Sequence, residues 1–186
     1  MYVDDEDTDT RTVGVALPVP EPWGSELQQT RIALGDLRAR HIPTHITLLP
    51  PTPVPSSALV AMREHLTGVA GHHPEFPVVL RGTGTFRPVS DVVFIQVARG
   101  LASCEVLERR VRSGPIRRDV QFPYHPHVTV AHDIDEESLD QAFDTLADFT
   151  CSFTARHVRL YVHDGDGVWR RDSDFELAGS ETAFDG

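Results

Sequence analysis

PTHITLLPP (Pro43–Pro51) and HPHVTVAH (His125–His132) each contain a histidine, an apolar residue, a threonine and a second apolar residue. The quartets are His45-Ile46-Thr47-Leu48 and His127-Val128-Thr129-Val130. β-Branched residues behind prolines favour strands. Side chains on a strand alternate faces. His45 and Thr47 then share one side, and Ile46 and Leu48 the other. His127 and Thr129 likewise oppose Val128 and Val130. The apolar pair anchors each strand in a core, and the polar pair faces outward or into a cleft.

If the two strands sit side by side, two imidazoles and two hydroxyls converge. That set suits cleavage of a phosphodiester. A neutral histidine takes a proton from the attacking oxygen, and a protonated one gives a proton to the leaving oxygen. Threonine hydroxyls can bond the non-bridging phosphate oxygens and stabilise developing charge. The scheme needs no metal and no cofactor. The chain also contains a control, HLTG (His65–Gly68), which falls in an apparent helix where positions i and i+2 do not share a face. The triplet alone is therefore weak. Its signal lies in strand context, repeated.

Outward from the quartets, TVGVALPV (Thr12–Val19) reads as a strand and Pro18, Pro20 and Pro22 as a connector. Leu27, Ile32, Leu34 and Leu37 recur at a roughly helical period, predicting a helix from Ser25, its cap, to about His41. Leu59, Met62, Leu66 and Val69 predict a second. Phe76–Phe86 and Val92–Ala98 read as paired strands around RPVSD, and Leu101–Val111 as a helix. Ser113–Tyr124 reads as an Arg- and Pro-rich loop, and Glu136–Ala147 as a helix. Cys151–Leu177 reads as one long hairpin with Asp-Gly-Asp-Gly at its tip, a turn rather than a calcium loop. The expectation is an α+β fold, bilobal and duplicated. Mostly antiparallel sheets flank a central cleft, with helices outside. Residues 1–11 are expected as a disordered acidic arm, 12–178 as one bilobal domain and 179–186 as a loose tail.

The 186 residues suffice for a core without staples. Cys104 and Cys151 are far apart, with no CxxC, and are expected as reduced, buried thiols. The net charge of −11 argues against a broad grip on duplex DNA, which needs a cationic stripe. No apolar run approaches the ~20 residues of a membrane span, and MYVDDEDTDTR lacks the apolar core of a secretory signal. A cytoplasmic monomer without membrane contact is the expectation.

THITLLPP and YHPHVTVAHD resemble the two signature motifs of the 2H phosphoesterase superfamily, and within it RNA 2′,3′-cyclic phosphodiesterases, also called 2′-5′ RNA ligases. GTGTFRP (Gly82–Pro88) resembles the family's Gly-x-Gly-x-Phe segment. The resemblance spans roughly Thr12–Leu177. It implies metal-independent opening of a cyclic phosphate on an RNA terminus or small nucleotide, with His45 as proton donor, His127 as acceptor, and Thr47 and Thr129 on the phosphate. One position departs: His132 stands where the family commonly has arginine or lysine. The cation near the phosphate is then weaker at neutral pH, with His132 itself as a substrate contact, or comes from elsewhere, with Arg81, Arg87, Arg117 and Arg118 as candidates. Tyr124, Phe122 and Phe86 are candidates to stack on a base or to pack the core. The remaining histidines read as structural. His125 reads as a rim residue, and a metal hydrolase built on His125-x-His127 is the weakest alternative. A nucleotide-binding module without turnover is the stronger one.

Overall fold

A computed structural model describes residues 9–116, 118 and 121–179. The bulk of the acidic arm, Arg117 and the tail beyond Gly179 lie outside the described residues. The strands are β1 (Thr10–Pro18), β2 (His45–Pro55), β3 (Phe76–Thr85), β4 (Val92–Arg99), β5 (His127–His132), β6 (Thr150–Ala155), β7 (His157–His163) and β8 (Arg170–Glu176). The helices are α1 (Trp23–Ala33), α2 (Ala58–Gly71), α3 (Leu101–Arg112) and α4 (Glu136–Thr145), with a 3₁₀ helix at Leu37–His41.

All the strands join one antiparallel sheet in the order β6-β3-β4-β5-β2-β1-β7-β8. The order divides into two four-stranded halves, each contributing one quartet strand to the seam. β2 and β5 pair there at a single point, Ile46 opposite Val128. One hydrophobic core runs through both halves, and Ile46, Leu48, Val128 and Val130 are at most 1% exposed within it.

Three local expectations change. α1 begins at Trp23, and Ser25 is no cap: its hydroxyl and backbone N–H both donate to Glu21. The helix predicted to His41 stops at Ala33, because Gly35 takes a left-handed φ of +98° and the chain restarts as the 3₁₀ helix. Leu37, assigned to the apolar stripe, is 57% exposed. Cys151–Leu177 is not one hairpin. β6 pairs with β3 in one half, whereas β7 pairs with β1 and β8 in the other. The chain crosses between halves at Arg156, a break invisible in a run of alternating residues.

α2 buries Leu59, Met62, Leu66 and Val69, as its period requires. α4 is capped by Asp135, whose carboxylate accepts from the Ser138 N–H at 2.9 Å. Both cysteines are buried and free, and burial pushes the Cys104 thiol up to about 12. Among the described residues, no helix is long and apolar enough to cross a membrane.

Candidate active site

The seam builds the site. With Ile46 opposite Val128, antiparallel pairing sets His45 across from Thr129 and Thr47 across from His127. The histidines therefore occupy diagonal corners of a square and the threonines the other two. Diagonal neighbours on such a ladder lie about 7–8 Å apart. Pairing at one point lets the strands diverge on either side and open a cleft.

Each quartet strand then carries the same irregularity. Val15 pairs with Leu49 and Ala16 with Thr47, so Leu48 is an extra residue on β2. Val93 pairs with Ala131 and Phe94 with Thr129, so Val130 is extra on β5. A bulge of this kind shifts the phase of everything beyond it. Leu48 and Leu49 are both buried, as are Val130 and Ala131. His132 is thereby returned to the face of His127 and Thr129; strict alternation would have sent it to the core.

The imidazoles are held alike. Nδ1 of His45 donates to the Pro43 carbonyl at 2.6 Å, and Nδ1 of His127 to the His125 carbonyl at 2.7 Å. A carbonyl can only accept, so the neutral rings carry their proton on Nδ1 and present Nε2 as the base. The Thr47 hydroxyl donates to Nε2 of His45 at 3.1 Å. Burial pushes both pKa values below the ordinary imidazole value. For His45 the Pro43 carbonyl opposes that shift and Arg31 adds to it. His127 falls to about 4, with smaller contributions from His125 and His45.

Neighbouring elements lock this arrangement. The Thr44 hydroxyl donates to the Gly24 carbonyl at 2.7 Å, tying the start of β2 to α1. The Tyr124 hydroxyl donates to the Thr47 carbonyl at 2.8 Å, joining the approach to β5 with β2. Phe86 and Phe94 meet the His127 ring at centroid distances of 5.0 and 5.2 Å. Phe94 lies across Gly84, where a Cβ would come within 2.6 Å of its ring.

A cavity of about 290 Å³ opens beside His45, walled among others by Thr47, Thr129, His132, Tyr161 and Trp169. His127 lies outside that wall, with Phe86 and Phe94. The other predicted residues are dispersed. Arg81 is exposed on β3, opposite Thr150. Arg87 pairs with Asp140 at 2.9 Å. Arg118 donates to the Pro51 carbonyl and to Thr52. Phe122 is 65% exposed. His125 is exposed and stacked 6.1 Å from His127. His65 bonds the carbonyls of Arg110 and Val111 at the end of α3, a structural role consistent with its helical context. Sequence reasoning missed Arg31, Arg38, Tyr161 and Trp169 in the cavity wall. They come from α1, the 3₁₀ helix, β7 and the tip beyond β7, and no local motif marks them.

Fold and site together define a two-lobed protein with paired histidine–threonine strands at its seam. The family model of the 2′-5′ RNA ligase superfamily matches residues 18–167, and the chain belongs to that superfamily. It is 25% identical over 146 residues to a candidate phosphoesterase of Geobacillus kaustophilus, covering 76% of this chain and 82% of that one. Escherichia coli LigT, solved with NADP⁺, superposes with a TM-score of 0.62 at 21% identity, covering 91% of this chain and 99% of LigT. A Thermus thermophilus protein also superposes at 0.62, with 19% identity and the same coverage. At these identities the structural matches speak for the fold.

Proposed function

We propose that the protein is a metal-independent phosphodiesterase that opens 2′,3′-cyclic phosphates on RNA ends or small nucleotides. The observation that carries this reading is the pair of Nδ1-pinned imidazoles at diagonal corners of the seam. Both are set to exchange protons through Nε2, one from each side of a phosphorus.

In this reading His127 in its neutral form takes a proton from water as the water oxygen bonds to phosphorus. The ring-opening P–O bond breaks, and protonated His45 gives its proton to the departing ribose oxygen. Thr47 and Thr129, at the other two corners, hydrogen-bond the non-bridging oxygens. Binding of the phosphate anion favours the protonated imidazole that acid catalysis requires. Tyr161 and Trp169 offer aromatic surface to the nucleobase, a contact worth about 1–3 kcal/mol in other proteins.

Incubation with nucleoside 2′,3′-cyclic phosphates should give a single nucleoside monophosphate isomer. His45→Ala and His127→Ala should each lower kcat by roughly 10²–10⁴-fold with the fold intact by circular dichroism. Thr47→Ala and Thr129→Ala should cost less. Full turnover in either histidine variant would refute the two-imidazole mechanism. Tight nucleotide binding without turnover by the unaltered protein would favour a binding module instead.

A further inference from the structure

The phosphodiesterase reading needs a positive charge near the phosphate, and two arginines, Arg31 and Arg38, help wall the cavity beside His45. They are not equivalent. Arg31 is 4% exposed and donates through Nε and Nη2 to one oxygen of Asp36, itself 2% exposed. Its charge is matched at contact and buried. Arg38 stands at the cavity rim with its side chain 57% exposed. Its Nη2 donates to Oδ2 of Asp133 at 2.9 Å and lies 3.4 Å from the His132 carbonyl oxygen. Among the described residues, its Nε and Nη1 have no such partner. One nitrogen of the guanidinium is docked, and the other two can take a ligand.

Asp133 makes that docking specific. Its φ of +50° is in the left-handed region, the single such case among the described non-glycine residues. Aspartate tolerates this conformation better than most residues, but it still costs energy, and such strain tends to collect at functional sites. The backbone N–H donates to the Asp91 carbonyl at 3.1 Å. The carboxylate then serves two neighbours: Oδ1 lies 3.4 Å from Nε2 of His132, and Oδ2 holds Arg38. The bulge at Val130 has already turned His132 onto the cleft face. One carboxylate thus gathers an imidazole from β5 and a guanidinium from the 3₁₀ helix at the mouth of the cavity that holds His45 and Thr129.

We propose that Arg38 is the residue that grips the substrate's phosphate, with Asp133 as the positioning residue that holds it across the cleft. The proposal rests on the phosphodiesterase reading for its substrate. Asp133 docks on Nη2, the nitrogen that both paired edges of the guanidinium share, and the Nε–H and Nη1–H groups on either side of it each offer a charge-assisted bond to a phosphate oxygen.

The test begins without turnover. Inorganic phosphate is titrated into the full chain, unaltered and as Arg38→Ala, by calorimetry. Arg38 is exposed, so its removal leaves the core untouched. Phosphate affinity should drop about tenfold or more, the range for a charge-assisted bond. With adenosine 2′,3′-cyclic phosphate, KM should rise by a similar factor and kcat change less. His132→Arg, placing a guanidinium on the same face, should recover much of the loss in the Arg38→Ala background. Asp133→Asn should weaken phosphate binding less than Arg38→Ala and add nothing to it, since a positioning residue has no effect once its charge is gone. A merely structural Asp133 would instead add its own loss. Equal phosphate affinity with and without Arg38, or no phosphate binding by either protein, overturns the clamp. If Arg38-dependent phosphate binding survives while no cyclic phosphate is opened, the clamp stands and the proposed activity falls.

Discussion

At the scale of single residues, the informative quantity is the protonation state of two buried imidazoles. Beyond the Nδ1 protons, a proposed acid–base pair must share one further proton, on one Nε2, and a free imidazolium loses that proton near pH ~6.5. Burial favours the neutral form, so both pKa values fall below that, His127 to about 4. The sign follows directly. At neutral pH both rings of the free protein are mostly deprotonated, and the scarce species is the acid. Since kcat/KM reports the free protein, it should decline as pH rises through neutrality, and its optimum should lie below ~6.5. Bound phosphate raises the pKa of the acid, so the basic limb of kcat should sit at higher pH than that of kcat/KM. The apparent pKa values belong to the pair. A kcat/KM optimum above pH 7 would count against these two groups as the catalysts.

At the scale of elements, alternation brought the four motif side chains within reach of sequence reasoning, and irregularity hid the rest. Period-two patterning in His45–Leu48 and His127–Val130 reads directly as two half-buried strands, and the burial of Ile46, Leu48, Val128 and Val130 follows that reading. The bulges at Leu48 and Val130 are legible only from the partner strands, because an inserted apolar residue looks like any other. The place of His132 could not be argued from parity for that reason. Arg38 was hidden by a different fact: Gly35 ends α1, and the apolar spacing that ran on to Leu37 concealed the break. Gly84 is the reverse case, a residue whose purpose appears only across the hairpin. Its missing Cβ lets Phe94 lie over β3 and against His127. Gly84→Ala should force that ring aside and cost about 1–3 kcal/mol by overpacking. It should also lower kcat more than it raises KM, because the displaced ring abuts an imidazole rather than the cavity wall. Unchanged stability and unchanged kcat would show that Phe94 does not brace His127.

At the scale of the whole molecule, the question is where the positive charge goes. The net charge is −11, and all 17 basic residues are arginine. Among those described, Arg11, Arg31, Arg63, Arg87, Arg112, Arg156, Arg159, Arg170 and Arg171 are paired with carboxylates, as is Arg38. Several of these pairs tie strands or helices together, such as Arg63 of α2 to Asp172 of β8 and Arg159 of β7 to Asp174 of β8. Charge matched in this way offers little to a long polyanion. Affinity for extended nucleic acid grows with each phosphate neutralised and falls steeply with salt, by a slope of about −0.7 per contact for a single strand. A site that takes its phosphate through Arg38 at the cavity mouth should behave otherwise. We expect a mononucleotide and a long single-stranded oligonucleotide ending in the same cyclic phosphate to bind within a few-fold of each other. The salt dependence for both should match one or two phosphate contacts. Titrating the two ligands into His45→Ala at about 50 and 200 mM salt isolates binding from turnover. A gain of roughly a hundredfold or more with length, together with a slope that grows with length, would mean that a cationic track exists outside the cavity.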